Sequence, residues 1–589
     1  MTGHTEAADR SEPATTPAAT FCATFVDEWI RSGSTGAFVA PGSRSTPLAL
    51  ALAQRSEVEV SVFHDERAAS FAALGWSIRT ARPAIVLCSS GTAGAHFFGA
   101  VIEASMSAVP LIVVTADRPP ELWDVGAAQT IDQTHLFGDK VRWFGAPGVP
   151  ETDQAATWRS WASRAIAEAS GGAGQSRPGP VHLNLSFRDP LAGRAAELPP
   201  GRPDGRPWHR ATHATFDHDL VDLFRTLSGR DGVIVAGGGV TDPASVVALA
   251  ERLGWPLLAD HRSGCRKPGV AIAHFDGLLR NPAFADAQRP EVIVRFGEPL
   301  TSKVTNQWLA SSGAELIVAA PRGRWLDPER LASTIVPEAC FAAALLAQFP
   351  AQRIDTPTTN SDRSPSPAKP SPANQWRAAD ARAGADVQYL LASEPLNDPT
   401  VTRALLASLP TGSALVAASS MAVRELEWFG ANRDDVSVYS NRGANGIDGT
   451  IATAIGIAST GVPTACLIGD VAFLHDSTAL VGLARPMIDL TIVVLDNDGG
   501  GIFGFLPQHD LVSSDQFELL FGTPHGTDLR GLAAAHHLTA ADWPNTDTGL
   551  ADLAPEGVKV FIARTDREAS LDLHRRLNAR LASAAQAPD

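Results

Sequence analysis

GDVAFLHDSTALVGLARPMIDLTIVVLDNDGGGIFGFL, residues 469–506, decides how the rest of the chain reads. The runs TACLI (464–468) and LTIVVL (490–495) are apolar and of strand length, which predicts two buried strands of a parallel sheet. Gly469 and Asp470 follow the first, and Asp496, Asn497, Asp498 and Gly499 follow the second. In an open parallel sheet the carboxyl ends of the strands line the ligand crevice, so both clusters are expected to face one pocket. A carboxylate, an amide and a backbone carbonyl together make the donor set of a hard divalent cation holding a diphosphate, and magnesium is the expected ion. Strand-end turns and glycine loops use the same residue types, so the glycines alone leave both readings open.

Around that stretch lies a chain of 589 residues, long enough for three domains of ordinary size. Charged residues at 19% and hydrophobic residues at 44% describe a globular protein. No apolar run reaches the roughly 18 residues of a membrane span, and the opening MTGHTEAADRSEPATTPAAT is polar. The expectation is therefore no signal peptide and no membrane span, with the cytoplasm as default location. Cys22, Cys88, Cys265, Cys340 and Cys466 form no metal spacing and no disulfide framework, and read as buried small residues. A net charge of -16 disfavours nucleic acid as a partner. An anionic substrate would need local arginines, acting within the screening length of about 8 Å.

Residues 1–18 read as a disordered tail, followed by a helix over 20–32 with Phe21, Phe25, Val26 and Trp29 at helical spacing, then a strand over 37–40. PGSRSTPLALALA (41–53) is a strand-end turn entering a helix, where Ser43 and Arg44 either cap the helix or bind an anion. The strand 59–62 leads into HDERAASFAALGWSI (64–78), with Glu66 at a helix start as a capping acid or a catalytic one. Strands over 84–88 and 111–115 end in SSGTAG, expected to open a helix over 89–95, and in ADRPPEL. Gln129 lies on a loop near the same crevice, and the alternating VHLNLSF (181–187) closes a doubly wound α/β domain over 19–195.

A Pro/Gly/Arg linker (197–208) precedes a central α/β domain over 209–350, with a helix at 218–227 and GVIVAGGGV (232–240), whose glycines lack dinucleotide spacing. There VIVRFGEPLTSK (292–303) is a strand and basic loop in which Arg295 and Lys303 reach an anion or solvent, and the basic cluster 262–267 reads as a solvated loop rather than an effector site. TPTTNSDRSPSPAKPSP marks a flexible linker over 351–390. In the last domain, 391–589, the strand 414–418 and SSMAVRELEWF (419–429) repeat the anion-binding pattern with Ser420 and Arg424. SNRGANGIDGTIATAIGIA (440–458) is a loop entering a packed helix, and a helix over 529–537 and a final strand over 558–564 follow.

Read together, PGSRSTPLALAL, HDERAASF, SSGTA, TADRPPEL, SNRGANGIDGT and GDVAFLHD with DNDGGGIFGFLP resemble the thiamine diphosphate enzymes. More narrowly they resemble the 2-succinyl-5-enolpyruvyl-6-hydroxy-3-cyclohexene-1-carboxylate synthase family of menaquinone biosynthesis. The likeness covers about 20–190 and 400–570 and thins between them. The resemblance implies three doubly wound parallel-sheet domains and a thiamine diphosphate-dependent carboligase, a transferase that decarboxylates 2-oxoglutarate and adds the resulting succinyl-semialdehyde carbanion to isochorismate. It makes Glu66 the acid that activates the aminopyrimidine and Ile447 the prop that keeps the cofactor bent, with Arg44 and Gln129 completing the catalytic set. Ser420, Met421, Gly446, Ile447, Asp470, Val471, Asn497, Gly499, Gly500 and Ile502 would hold the cofactor with Glu66, and Asp470, Asn497 and the Gly499 carbonyl would bind magnesium or manganese. The carboxylate substrates would meet Ser43, Arg44, Arg118, Gln129, Lys303, Ser420, Arg424 and Arg442, beside an apolar wall of Ile502, Phe503 and Leu506.

This chain departs from the family pattern twice: it has DND (496–498) where many relatives have consecutive asparagines, and Val304 where a second basic residue would follow Lys303. The resemblance further implies a homodimer or tetramer with active sites at the subunit interface. Three alternatives stay open: another thiamine diphosphate-dependent 2-oxoacid decarboxylase, an acetolactate synthase relative, or a binding protein that keeps the fold without turnover.

Overall fold

The computed structural model describes residues 14–172, 177–209, 227, 229–321, 324–348, 371–483, 487–544 and 553–586. Its strands are short runs rich in Val, Ile, Leu and Ala, most of them buried on both faces, as parallel strands covered by helices must be. They form three six-stranded sheets. The first contains β1 (Gly36–Val39), β2 (Glu59–Val62), β3 (Ala84–Cys88), β4 (Leu111–Asp117), β5 (Phe144–Gly145) and β6 (Pro180–Ser186) in the order β2-β1-β3-β4-β6-β5. The second contains β7 (Gly232–Ala236), β8 (Leu257–Ala259), β9 (Ala271–Ile272), β10 (Val292–Phe296), β11 (Glu315–Ala320) and β12 (Ala332–Pro337) in the order β12-β11-β10-β7-β8-β9. The third contains β13 (Ala414–Ala417), β14 (Ser437–Tyr439), β15 (Thr464–Gly469), β16 (Leu490–Asp496), β17 (Thr539–Asp542) and β18 (Val558–Arg564) in the order β14-β13-β15-β16-β18-β17.

Every strand pair is parallel, and the order reverses inside each sheet, between β1 and β3, between β7 and β10, and between β13 and β15; in the first and third sheets it turns back once more at the edge, at β6-β5 and β18-β17. At such a reversal the crossover helices leave on opposite faces and open a crevice beyond the strands' carboxyl ends. The first sheet belongs to one compact unit (1–213), and the second and third share another (214–589). Among the described residues no helix is long and apolar enough to cross a membrane.

Several elements differ from the sequence reading. Helix α1 (Pro17–Arg31) begins inside the stretch read as a disordered tail, because the Thr16 side chain accepts the N–H of Ala19 and Pro17 suits a first helical position. Its Phe21, Phe25 and Trp29 are buried, and Trp29 Nε1 donates to Ala162 O at 3.2 Å. Residues Gly91–Phe97 wind as a tight three-residue-per-turn segment before the helix Phe98–Ser107, so no α-helix starts at 89. The alternating 181–187 forms the last strand of the first sheet in chain order, β6, but not an edge of it. β6 is internal, two-residue β5 forms the edge, and the polar His182 and Asn184 are buried because each is hydrogen-bonded.

In the second unit the helix expected at 218–227 falls outside the described residues except for Leu227, which is buried. Residues 351–370 of the expected linker are likewise outside them, but its remainder forms the helix Pro372–Leu391, capped by Ser371. Trp376, Ala379, Ala383 and Val387 bury one face of it against a core containing Phe275, Leu278, Leu577 and Leu581. The basic cluster is no solvated loop: Arg262 is paired with Asp260 (2.9 Å) and Glu298 (2.7 Å), and fully buried Arg266 donates to Ala259 O, Gly430 O and Glu427 O. Arg295 is buried too, donating to Leu326 O and within 3.8 Å of Glu329, so it does not reach solvent. Four cysteines are buried as expected, but Cys340 is exposed.

Candidate active site

β15 runs directly into the helix Asp470–His475, and β16, its hydrogen-bonded neighbour, ends one residue before Asn497. Asp470 is 2% exposed. Its Oδ1 accepts the N–H of Val471 at 2.7 Å, and its Oδ2 accepts the N–H groups of Gly499 at 2.8 Å and Asn497 at 3.2 Å. Burial pushes this carboxyl above its usual range, while the N–H donors of Gly499 and Val471 pull it back. Asn497 Oδ1 is buried without a hydrogen-bond partner among the described residues. Gly499 has φ +140°, and a Cβ there would stand 1.9 Å from Gly522 O, so only glycine lets the loop pass.

One residue that the sequence reading missed, His525, joins this cluster together with Asp496. Ligand atoms of Asp470, Asp496 and His525 lie within 4.8 Å of one another. His525 Nδ1 accepts the N–H of Thr527 at 3.0 Å, which leaves the proton of a neutral ring on Nε2, 3.4 Å from Asp470 Oδ2. Asp498, the departure in the DND run, ties down the loop that carries this histidine, since its Oδ1 accepts the N–H groups of His525 (2.9 Å) and Gly526 (2.8 Å). A cleft of about 950 Å³ opens here, lined by Asp496, Asn497, Gly501, His525, Arg564 and Arg567 among others.

Beyond β13, Ser420 takes φ +72° and ψ -127°, a strained conformation for a residue with a side chain, and its hydroxyl does not cap the helix Met421–Phe429. Its carbonyl instead accepts Arg424 Nη1 at 2.5 Å. Met421 is buried; Arg424 and Arg442 are half-buried. Burial lowers the affinity of both guanidiniums for a proton, and for Arg442 the neighbouring Arg262 and Arg424 add to the effect. Like charges gathered in a poorly solvated place are an arrangement that an anion relieves. Gly446 and half-buried Ile447 lie in the loop before the helix Thr450–Ala458, with room at Gly446 taken by Asp448 Oδ1. Ile502 and Phe503 lie on the turn Gly501–Phe505, followed by exposed Leu506. Phe503 packs 5.5 Å from Phe521, and Phe505 sits edge-on to buried His574 at 5.1 Å. Lys303 is exposed at the start of the helix Lys303–Ser311 and forms no ion pair among the described residues.

In the first unit, Ser43 is exposed and Arg44 is 9% exposed in the turn after β1. Ser45 rather than Ser43 ties that turn, exchanging hydrogen bonds with Gly42 at 2.9 and 3.2 Å. Arg44 Nη1 donates to Phe187 O at 2.8 Å and lies 3.6 Å from Asp189, while its Nε is buried without an acceptor. Arg118, next after β4, has a buried Nη1 in the same condition; burial and then the nearby Arg44 lower its hold on its proton. Glu66 opens the helix Glu66–Thr80 as the acid of its first turn, but Asp65 is the side-chain cap, accepting the N–H of Arg67 at 2.8 Å. Burial and the neighbouring Glu66 push up the thiol of Cys88 at the end of β3, which puts Glu66 beside the turn that follows. Gln129, at φ +55°, donates from Nε2 to Ser90 O in that turn at 3.0 Å.

Residues 22–136 match the N-terminal TPP binding domain of thiamine pyrophosphate enzymes, residues 202–357 match their middle domain, and residues 418–566 match their C-terminal TPP binding domain. Proteins named 2-succinyl-5-enolpyruvyl-6-hydroxy-3-cyclohexene-1-carboxylate synthase are similar along nearly the whole chain. The one from Thermobifida fusca is 40% identical over 96% of this chain and 99% of its own, and the one from Myxococcus xanthus 38% over 95% and 96%. That of Chloroflexus aurantiacus is 39% identical over 91% and 92%. The chain belongs to this synthase family. The likeness therefore does not thin out in the middle, where the family's middle domain matches as well.

Membership makes thiamine pyrophosphate the cofactor, and the buried groups fit it. An unpartnered amide oxygen costs about 1–3 kcal/mol, and Asn497, whose Oδ1 is unpartnered, gives its backbone N–H to Asp470 Oδ2; a carboxylate and an amide oxygen are donors suited to a cation carrying a diphosphate. His525 was out of reach of the spacing argument because a separate loop delivers it; the only sign in sequence is the TPHG turn (523–526) after FELLFG.

Proposed function

We propose that this chain is a carboligase that uses thiamine diphosphate and magnesium, with manganese able to replace it, to decarboxylate 2-oxoglutarate and join the remaining four-carbon fragment to isochorismate. The observation that carries the reading is that, of the five buried guanidinium N–H groups without acceptors among the described residues, Arg44 Nε and Arg118 Nη1 belong to neighbouring arginines, the first of which lowers the second's hold on its proton, in a chain of net charge -16. Such donors are costly to bury unless a ligand accepts from them, and a carboxylate is the acceptor matched to a guanidinium.

When bound, the cofactor supplies the electron sink for decarboxylation. The chain's residues supply placement. Asp470, Asn497 and the Gly499 carbonyl hold the cation; Ser420, Met421, Gly446, Val471, Gly500 and Ile502 line the cofactor, and Ile447 props it. Glu66 holds a proton at the pyrimidine nitrogen. Ser43, Arg44, Arg118 and Gln129 form one set of substrate contacts, and Lys303, Ser420, Arg424 and Arg442 the other, with Ile502, Phe503 and Leu506 as the apolar side. The same reading takes 19–195, 209–350 and 391–589 as domains, the cytoplasm as location, and a homodimer or tetramer with sites at a subunit interface as assembly.

The test is purified chain with magnesium, thiamine diphosphate, 2-oxoglutarate and isochorismate, followed by mass spectrometry of the product. A folded protein that forms no adduct removes the proposal. Faster decarboxylation of pyruvate than of 2-oxoglutarate would favour a general 2-oxoacid decarboxylase instead.

A further inference from the structure

One peptide unit in the turn after β3 is gripped from both sides. The carbonyl of Ser90 accepts Gln129 Nε2 at 3.0 Å, and the N–H of Gly91 donates to Gln133 Oε1 at 2.9 Å. The two glutamines are four residues apart on one loop, yet their circumstances are opposite. Gln133 is 1% exposed and all its side-chain capacity is engaged: Oε1 by Gly91, and Nε2 by Ala116 O (3.2 Å) and Asn184 Oδ1 (2.8 Å). Gln129 is exposed and makes one side-chain hydrogen bond among the described residues, from a left-handed backbone position.

The direction of each bond behind Gln133 is forced. Asn184 Nδ2 donates to Asp117 Oδ2 at 2.8 Å, which turns Asn184 Oδ1 toward Gln133 and Thr115. The Thr115 hydroxyl gives its proton to Asn184 Oδ1 and so receives one from His182 Nε2 at 2.8 Å, consistent with a neutral His182 whose Nδ1 has no partner. Asp117 Oδ1 accepts the N–H of Arg118 at 2.7 Å. The network therefore joins β4, β6, the Gln129 loop and the Ser90–Gly91 turn, and Gln133 is the only one of its side chains that reaches Gly91. Gly91 itself is held at φ +81°, and a Cβ there would press within 2.9 Å of Gln129 Cγ.

We propose that Gln133 is a positioning residue of the reaction: it holds the Ser90–Gly91 peptide in place so that Gln129 can leave Ser90 O and turn to the substrate. This rests on reading Gln129 as a substrate contact. A single exposed neutral hydrogen bond, for which water competes, contributes little enough for a bound substrate to displace. The buried bonds of Gln133 have no such competitor. Gln129 is the replaceable half of the grip and Gln133 the permanent half.

The experiment is hydrogen exchange at the Gly91 amide combined with steady-state kinetics of the cofactor-loaded protein, for Gln133→Leu, Gln133→Glu and Gln129→Ala. Gln133→Leu should speed Gly91 exchange at least tenfold and lower kcat at least tenfold with KM changed less than threefold. Gln133→Glu, when protonated, keeps an acceptor for Gly91 and one O–H for Asn184 Oδ1, leaving Ala116 O without its donor, and should keep kcat within about tenfold at pH 6, losing more as ionisation sets a charged oxygen against Asn184 Oδ1 and Ala116 O. Gln129→Ala should lose activity with Gly91 exchange unchanged. Unchanged exchange in Gln133→Leu, or unchanged kcat, overturns the proposal. Should Gln133→Leu fail to fold, Gln133→Glu decides alone, and a flat pH profile for it overturns the proposal. A parent protein that makes no product at all would defeat the functional reading, while exchange would still decide who holds Gly91.

Discussion

Asp470 Oδ2 accepts the backbone N–H of Gly499 at 2.8 Å, which fastens the end of β15 to the loop that leaves β16. The carboxylate cannot swing away without breaking three hydrogen bonds from backbone N–H groups, and the loop cannot shift without moving Asn497. The position of the loop and the pairing of the strands are thus one constraint, and the three N–H donors are why a buried acid is tolerated there.

Removing that carboxylate should therefore act on cofactor retention before anything else. Asp470→Ala is expected to weaken magnesium-dependent binding of thiamine diphosphate by at least about tenfold, some 1.4 kcal/mol, in calorimetric titration. Asn497→Ala should do the same while relieving the orphaned Oδ1, so its loss of cofactor affinity should come with unchanged or higher thermal stability of the unloaded protein. Cofactor affinity equal to the parent's in Asp470→Ala would remove the metal assignment.

Glu66 offers a cleaner separation of chemistry from folding, because Asp65 performs the capping. Glu66→Gln should leave the melting temperature and cofactor affinity nearly unchanged and lower kcat by roughly two orders of magnitude or more, as loss of acid–base assistance does. A kcat within fivefold of the parent's would show that the proton is managed elsewhere.

For the arginine pair the sign depends on which partner is removed. Arg44→Ala should raise KM for a carboxylate substrate by about ten- to a hundredfold, since charge-assisted bonds contribute about 1.5–3 kcal/mol. Asp189→Asn should not raise it, because that acid is 75% exposed at 3.6 Å and such pairs contribute about 0–1 kcal/mol. Steady-state kinetics on both variants checks the contrast; equal increases in KM would mean that the Arg44–Asp189 pair, not a free guanidinium, meets the substrate.

The parts of the fold legible in sequence are those where one local pattern meets no competitor. TACLI and LTIVVL show their strands because buried parallel strands are uniformly apolar, and the polar residues that end them stand where ligands bind. The helix Pro372–Leu391 carries the helical period in Trp376, Ala379, Ala383 and Val387, but a Pro/Ser-rich run ends at its first residue and hides it. His182 and Asn184 give β6 the alternation of an exposed strand, although each is satisfied by a partner far along the chain. Asp260 and Glu298 likewise turn Arg262 from an apparently solvated charge into a buried one, and His525 reaches Asp470 only because loops meet in space. What sequence pattern cannot show is long-range pairing of polar groups, and the candidate site is built largely of it.

A buried acid outside the Asp470 cluster gives the last expectation. Asp398 is wholly buried beside Glu425 and His574, accepting the hydroxyls of Thr565 (2.8 Å) and Ser570 (3.4 Å), and burial, with the Glu425 charge, pushes its carboxyl up to about 6. Its pKa is thus higher folded than unfolded, so between about pH 4 and pH 6 the folded state binds more proton and stability falls as the pH rises. The shift of roughly two units corresponds to about 3 kcal/mol, present below pH 4 and gone above pH 6. Asp398→Asn keeps an acceptor for the Thr565 hydroxyl and cannot ionise, so its melting temperature relative to the parent should climb from pH 4 to pH 6.5 and then level off. Melting curves of the two proteins that run parallel across that range would show that Asp398 carries no ionisation cost in the fold, and that its hydrogen bonds to Thr565 and Ser570 offset burial of the charge.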